Sequence, residues 1–296
     1  ANVAYQHRRR IPARIPANPA LVDLPKDRFV QFMPQRAEGN WGEPSGDALK
    51  TPANAPANAH RVSCLTTGVR RMEENMTVGI IGAGHIGGTL TRRLRELGYD
   101  VAVANSRGPE TLADLAAETG ATAASVMDVA AGKDLIIVAI PEKSVPSLPR
   151  DLLARTPATA VIVDTGNYYP QRDGRIAAIE DGMTESGWVA EQLGRPVVKA
   201  FNNIMAQHLM NGGKPAGAAK RIALPVAGDH DDAKAIVLRL VDELGFDGVD
   251  AGDLDQSWRQ QPGSPVYGAD LDSDGVLRAL GAASEERPPQ FRAPAP

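Results

Sequence analysis

Thr77-Val78-Gly79-Ile80-Ile81-Gly82-Ala83-Gly84-His85-Ile86-Gly87-Gly88 decides how this chain is read. Val78, Ile80 and Ile81 form the short apolar run of a buried parallel strand. The run breaks into Gly82-Ala83-Gly84-His85-Ile86-Gly87, which fits the spacing G-x-G-x-x-G. Thr89 to Leu97 then has helical character and stops before Gly98, the residue type helices favour just past their last turn. In a strand–loop–helix unit of this kind the three glycines have separate jobs. Gly82 makes the tight turn, Gly84 lets the backbone approach a pyrophosphate, and Gly87 lets the helix pack on the strand. The start of the helix adds free N–H groups and a positive dipole end. The flanking strand and helix distinguish the motif from a plain glycine-rich turn. Gly82, Ala83, Gly84, His85, Ile86 and Gly87 are therefore candidate dinucleotide-binding residues. His85 would serve through its backbone N–H; the alternative for its ring is an ordinary loop position.

Asp100–Ala104 reads as the second parallel strand and ends in Asn105-Ser106-Arg107-Gly108-Pro109. An NAD-binding unit carries an acid here for the ribose hydroxyls. This chain has a hydroxyl and a guanidinium instead. Arg107 can pair with a 2′-phosphate through a charge-assisted fork, and Ser106 can donate to the same group. NADP is the cofactor these residues favour. The alternative is a surface arginine behind a turn serine.

Further strands are expected at 134–140, 159–163, 195–200, 221–227 and 246–251, with helices at 110–119, 145–154, 176–193 (broken at Asp181-Gly182) and 230–244. Strands alternating with helices predict an α/β, Rossmann-type, doubly wound and mostly parallel sheet. Pro225 inside its strand points to an edge or a bulge. Ala139-Ile140-Pro141 would lie at the carboxyl edge of the sheet, where ligands bind in open α/β folds. Ile140 and Pro141 could line a nicotinamide there, and a strand-terminating proline explains them as well. Asp164, closing its strand, is either a base or a turn cap. The stretch 252–296 reads as a short C-terminal cap, with a helix at 275–283 and a frayed Pro-rich end.

Composition bounds the rest. The 296 residues allow one large or two modest domains, and 43% hydrophobic with 23% charged content is ordinary for a globular chain. The net charge of −4 offers nothing to nucleic acid or a membrane surface. One cysteine, Cys64, excludes an internal disulfide and suits a reducing cytoplasm. No apolar run approaches the roughly 20 residues that span a bilayer. No histidine falls at metal-ligand spacing, so no metal is expected. Residues 1–75 differ from the remainder: they hold 11 Lys and Arg against 7 Asp and Glu, with eight prolines, whereas 76–296 hold 21 against 29. The expected division is thus a Pro-rich extension over 1–75, an NADP-binding domain over 76–251 and the cap over 252–296. The first segment reads as disordered, or as an over-extended translation start before Met72 or Met76. Arg8-Arg9-Arg10 within it is read as a solvated charge run.

The chain has no G-x-S-x-G, no cysteine nucleophile and no lysine in an evident dehydrogenase motif. Reducing a carbonyl needs a proton donor for the developing alkoxide. Hydride transfer between conjugated cofactors needs mainly orientation. The missing donor favours the second.

Gly79–Gly87, Asn105–Gly108, Ala139–Pro141 and Val198-Lys199-Ala200-Phe201-Asn202 together resemble the NADPH-dependent deazaflavin (coenzyme F420) reductases. Lys199–Asn202 is also similar to the cytosolic NADPH domain of membrane ferric reductases. The resemblance covers about 77–283. It implies that Ala83–Ile86 bind pyrophosphate, that Ser106 and Arg107 hold the 2′-phosphate, and that Ile140 and Pro141 border the nicotinamide ribose. Ala200 and Asn202 would lie near the ring. The implied partner is a small redox substrate, deazaflavin or flavin. Two departures stand out: no helix-borne base follows Arg107, where Glu110 and Thr111 stand, and the Trp258-Arg259-Gln260-Gln261-Pro262 tail resembles a bacterial branch with a different second substrate. The rival readings are a small-molecule imine or carbonyl reductase, with Asp164, Asn202, Tyr168, Tyr169 or Tyr267 as proton donor, and a non-enzymatic NADPH sensor. A homodimer stays open, dimers being the commonest soluble assembly.

Overall fold

The strand expected at Val78–Ile81 is the centre of the sheet in a computed structural model that describes residues 76–294. The expectations for residues 1–75, including Arg8-Arg9-Arg10, Met72 and Cys64, lie outside these described residues. Strand β1 (Thr77–Ile81) pairs in parallel with β2 (Asp100–Ala104) on one side and β4 (Leu135–Val138) on the other. With β3 (Thr122–Ala123), β5 (Val161–Asp164) and β6 (Val198–Lys199), the six-stranded order is β3-β2-β1-β4-β5-β6. This is the Rossmann order, in which the chain reverses direction across the sheet between β1 and β4. Helices cover both faces, so strands read as unbroken apolar runs. Leu135 and Ile137 point to one core, with Leu90 and Leu94; Ile136 and Val138 point to the other, with Ile162 and Trp188. Removing Leu94, which is fully buried, would cost about 2–5 kcal/mol on a Leu→Ala change.

Helix α1 (His85–Glu96) begins inside the glycine motif, just after Gly84 and four residues before Thr89, where apolar periodicity starts. Its first turn carries no acid and its last turn carries Arg93 and Arg95, the arrangement the dipole favours. Helix α2 (Ala113–Thr119) and β3 complete the first half. The second half departs from the expected 145–154 helix. Pro146 and Pro149 limit that stretch to a 3-10 segment over Glu142–Ser147. Helices α3 (Glu185–Leu193) and α4 (Ala206–Asn211) follow.

Strands β7 (Ala223–Val226) and β8 (Asp247–Asp250) do not extend the main sheet as expected. They pair with each other in a separate two-stranded sheet, joined by α5 (Asp231–Glu243). Pro225 is tolerated there because both strands are edges. The two sheets meet where Lys199 and Ala227 exchange backbone hydrogen bonds of 2.8 and 3.1 Å. Helix α6 (Ser273–Gly281), capped by Asp272, buries Val276, Ala279 and Leu280 against Ala223, Val249 and Ala251. Residues after 251 thus share a core with β7 and β8. The expected frayed end is docked as far as 294. Gln171 Nε2 donates to the Gln290 carbonyl at 2.8 Å, and the Ala293 amide donates to Glu180 at 2.8 Å. Among the described residues no helix is long and apolar enough to cross a membrane.

Candidate active site

The carboxyl edge of the sheet begins with the glycine loop. A Cβ on Gly82, whose φ is +109°, would lie 2.3 Å from the Ala139 carbonyl oxygen, and one on Gly87 would lie 1.9 Å from that of Gly82. Both sit where backbone meets backbone. At Gly84 nothing lies within 4 Å of the same point, so this residue faces open space. No side chain caps the helix start. The amides of His85, Ile86 and Gly87 therefore lack an intrahelical acceptor and stand at the loop mouth.

One strand away, Asn105 bends the chain. Its Oδ1 accepts from the Arg107 amide at 2.9 Å, and its Nδ2 donates to Thr111 Oγ1 at 2.9 Å. The turn leaves Ser106 and Arg107 exposed, and neither side chain has a partner among the described residues. Glu110 folds back against Gly108: a Cβ there would meet its Oε1 at 2.3 Å.

The other half of the edge is closed and charged. Lys199 is fully buried at the end of β6, and its Nζ donates to Asp164 Oδ2 at 3.0 Å and to the Gly166 carbonyl at 2.6 Å. Asp164 also accepts from Ser186 Oγ (2.7 Å) and the Gly166 amide (2.8 Å), so it caps a turn and binds a cation at once. Burial opposes the lysine's charge, but Asp164, Glu185 and Glu142 outweigh it and hold the ammonium above its ordinary value. Glu185, buried on α3, pairs with Arg287 at 2.7 Å. Burial raises its carboxyl, and Lys199 and Arg287 only partly pull it back.

Glu142 completes the group. It follows Pro141 directly, is 0% exposed, and neither carboxyl oxygen has a hydrogen-bond partner. Burial first, then the charge of Asp164, push it well above the ordinary carboxylate range, with Lys199 opposing and Glu185 and Asp173 adding. Gly166 makes room for it: a Cβ there would sit 2.5 Å from Glu142 Oε1 and 3.0 Å from Asp164 Oδ1. Sequence reasoning missed Glu142 altogether, since a lone acid after a strand-ending proline has no periodic signal. Lys199 had one, as a charge inside the apolar run Val197–Phe201.

Ala200, Phe201 and Asn202 leave β6 in a strained turn. Phe201 is buried with φ +61°, a left-handed conformation that costs a bulky residue of order 1–3 kcal/mol. Both ends of the Asn202 amide are engaged. Its Nδ2 donates to Asn167 Oδ1 at 3.0 Å and to the Gln260 carbonyl at 2.7 Å, and its Oδ1 accepts from Gln260 Nε2 at 3.0 Å. The Tyr168 hydroxyl turns away to Gly174 and Glu180, each at 2.9 Å. The half-buried hydroxyls of Tyr169 and Tyr267 bond to each other. Burial, then Tyr267, raises the Tyr169 phenol. Elsewhere a groove of about 1260 Å³ runs between α3 and the C-terminal segment, past Met183, Thr184, Trp258, Pro262 and Arg287. It contains none of the glycine-loop residues, nor Arg107, Pro141 or Asn202. Among the described residues no three His, Cys, Asp or Glu side chains are grouped to hold a metal.

The sheet order, the open glycine loop and its uncapped helix define a dinucleotide-binding protein of the Rossmann class. Residues 77–168 match the family described as NADP oxidoreductase, coenzyme F420-dependent. The structure of hypothetical protein SMa0349 from Sinorhizobium meliloti is 30% identical, aligns over 69% of this chain and 98% of its own, and gives a TM-score of 0.57. A proposed F420-dependent NADP reductase from Arthrobacter shares the fold at 24% identity, over 62% of this chain and 88% of its own, with a TM-score of 0.51. Protein YjhV of Escherichia coli (strain K12) is 42% identical over 71 residues, and the chain spans 52% of the length of that relative. Over residues 77–168 this chain carries the NADP oxidoreductase domain of the F420-dependent family. The residues present fit an NADP cofactor: the space over Gly84 is open, the helix start is free of acid, and the guanidinium on the next strand end is unpaired.

Proposed function

We propose that this protein passes a hydride between NADP(H) and a flat conjugated acceptor, a deazaflavin (coenzyme F420) first and a flavin second. The backbone of Gly82, Ala83, Gly84, His85, Ile86 and Gly87 would hold the pyrophosphate, and Ser106 with Arg107 the 2′-phosphate. Ile140 and Pro141 would border the nicotinamide ribose, with Ala200 and Asn202 beside the ring. The bound cofactor supplies the hydride from its nicotinamide C4. The chain supplies orientation and a dry edge. The observation that carries the choice of acceptor is that the polar groups weighed as proton donors at this edge are bonded inward: Asp164 accepts from Lys199 and Ser186, Asn202 donates to Asn167 and Gln260, and the Tyr168 hydroxyl donates towards Gly174 and Glu180. These groups offer little to a developing alkoxide, and Glu142, the unpartnered acid beside them, is fully enclosed, whereas transfer between conjugated rings asks mainly for geometry. The family's description supports the same acceptor.

The test mixes the protein with NADPH or NADH and, separately, oxidised deazaflavin, FMN, FAD or a ferric chelate, following nicotinamide oxidation. Rapid oxidation of NADPH with deazaflavin is the expected result. NADPH binding without turnover on any acceptor would favour a sensor role instead. A second reading, reduction of a small imine or carbonyl, is favoured by the Tyr169–Tyr267 pair. Two hydroxyls share one hydrogen bond, which leaves one O–H to donate. Tyr169→Phe and Tyr267→Phe would collapse turnover under that reading and spare it under the first.

A further inference from the structure

The charges around the end of β5 do not balance with every acid ionised. Three carboxyls bear on Glu142, which follows β4: Asp164 on β5, Asp173 in the following segment and Glu185 on α3. Three cations answer them. Lys199 pairs with Asp164 at 3.0 Å, Arg172 with Asp173 at 2.8 Å, and Arg287 with Glu185 at 2.7 Å. Glu142 is left with no cation of its own and no hydrogen bond to either oxygen, although it is fully enclosed. An ionised carboxylate so placed is strongly disfavoured. With a proton on Glu142, three acids face three bases.

Its position gives that proton a use. Glu142 adjoins Ile140 and Pro141 at the carboxyl edge, on the half of the doubly wound sheet that takes the second mononucleotide. We propose that Glu142 is a charge-compensating, positioning residue: its carboxyl keeps a proton while the neighbouring nicotinamide is reduced and neutral, and yields it when the ring is oxidised and cationic. The O–H bond of Glu142 breaks, its electron pair stays on the carboxylate, and the proton passes to solvent. Asp164, Lys199, Glu185, Asp173 and Arg172 all face this carboxyl and keep their pairing throughout. NADP⁺ then binds up to tenfold more tightly per pH unit of increase, and NADPH does not. The inference rests on the dinucleotide reading above.

Calorimetric titration of the full chain with NADP⁺ and with NADPH, in two buffers of different ionisation enthalpy at pH about 7, counts the protons released. The 2′-phosphate is common to both cofactors, so the difference between them isolates the charge on the ring. About one extra proton released with NADP⁺, and no extra proton in Glu142→Gln, is the expected result. Infrared difference spectra of the unsubstituted protein give a second readout that needs no variant to fold. A carboxylic-acid carbonyl band should be lost on adding NADP⁺ and kept on adding NADPH. Equal proton counts for both cofactors, a difference that survives in Glu142→Gln, or no such band would overturn the inference and leave the cofactor site standing. Failure of either nucleotide to bind would overturn the dinucleotide reading, and this inference with it.

Discussion

Along the carboxyl edge of the six-stranded sheet, the half at β1 and β2 is open and the half at β4 to β6 is sealed. The open half presents Gly84 to empty space and leaves Ser106 and Arg107 exposed and unpaired. The sealed half buries Glu142, Asp164, Glu185 and Lys199 together. The first is made of local features, a loop and a turn read within a few residues. The second is made by bringing together side chains 22 to 102 positions apart, such as Ser186 with Asp164 and Arg287 with Glu185. A site can thus keep its ligand-facing groups idle while its supporting groups, Glu142 excepted, are paired.

Breaking the sealed half has the largest expected effect. Lys199→Met strands Asp164 and should lower stability by about 3–5 kcal/mol in denaturant unfolding. A loss under about 1 kcal/mol would mean that the charges do not hold this half together. Arg107→Ala tests the open half. It should weaken NADPH binding by about 1.5–3 kcal/mol and leave NADH binding nearly unchanged. Equal losses would show that Arg107 does not read the phosphate.

Glu142→Gln sharpens the contrast through pH. The folded-state value of Glu142 is raised, so the native protein binds more protons than the unfolded chain. The cost of burying it is absent below its unfolded value, near pH 4.3, and grows as pH rises through the folded one. The variant escapes that cost. Its stability relative to the parent should increase with pH by up to about 1.4 kcal/mol per unit. Parallel curves would mean that Glu142 is already ionised in the fold. The smallest effect on stability belongs to Gly84→Ala, which should fold within about 0.5 kcal/mol of the parent, because no atom lies near the new methyl. Cofactor titration should nevertheless show much weaker binding, since that methyl fills the approach to the pyrophosphate.

The same division explains what the sequence revealed. The Rossmann sheet was legible because β1, β2 and β4 are apolar runs with turn residues behind them. The glycine loop was legible because its spacing lies in one stretch. Sheet membership was not: β7 and β8 have the same βαβ pattern as their predecessors, and only tertiary packing sets them in a second sheet. Nor was the 3-10 segment at Glu142–Ser147, where Pro146 overrides a helical apolar pattern. Glu142 stayed hidden because its meaning depends on Gly166, Asp164 and Lys199, none of which is near it in sequence.

Arg287 carries a consequence for how the molecule is made. It comes from the last docked segment, lies over the Tyr168 ring at 5.4 Å, and donates to Glu185 and to Gln261. Glu185 is synthesised 102 residues earlier. At about 5–20 residues per second the ribosome needs roughly 5 to 20 s to cover that interval. Throughout it Glu185 has Lys199 nearby but not its ion-pair partner, so the contact that ties α3 to the C-terminal segment forms only after residue 287 has been made.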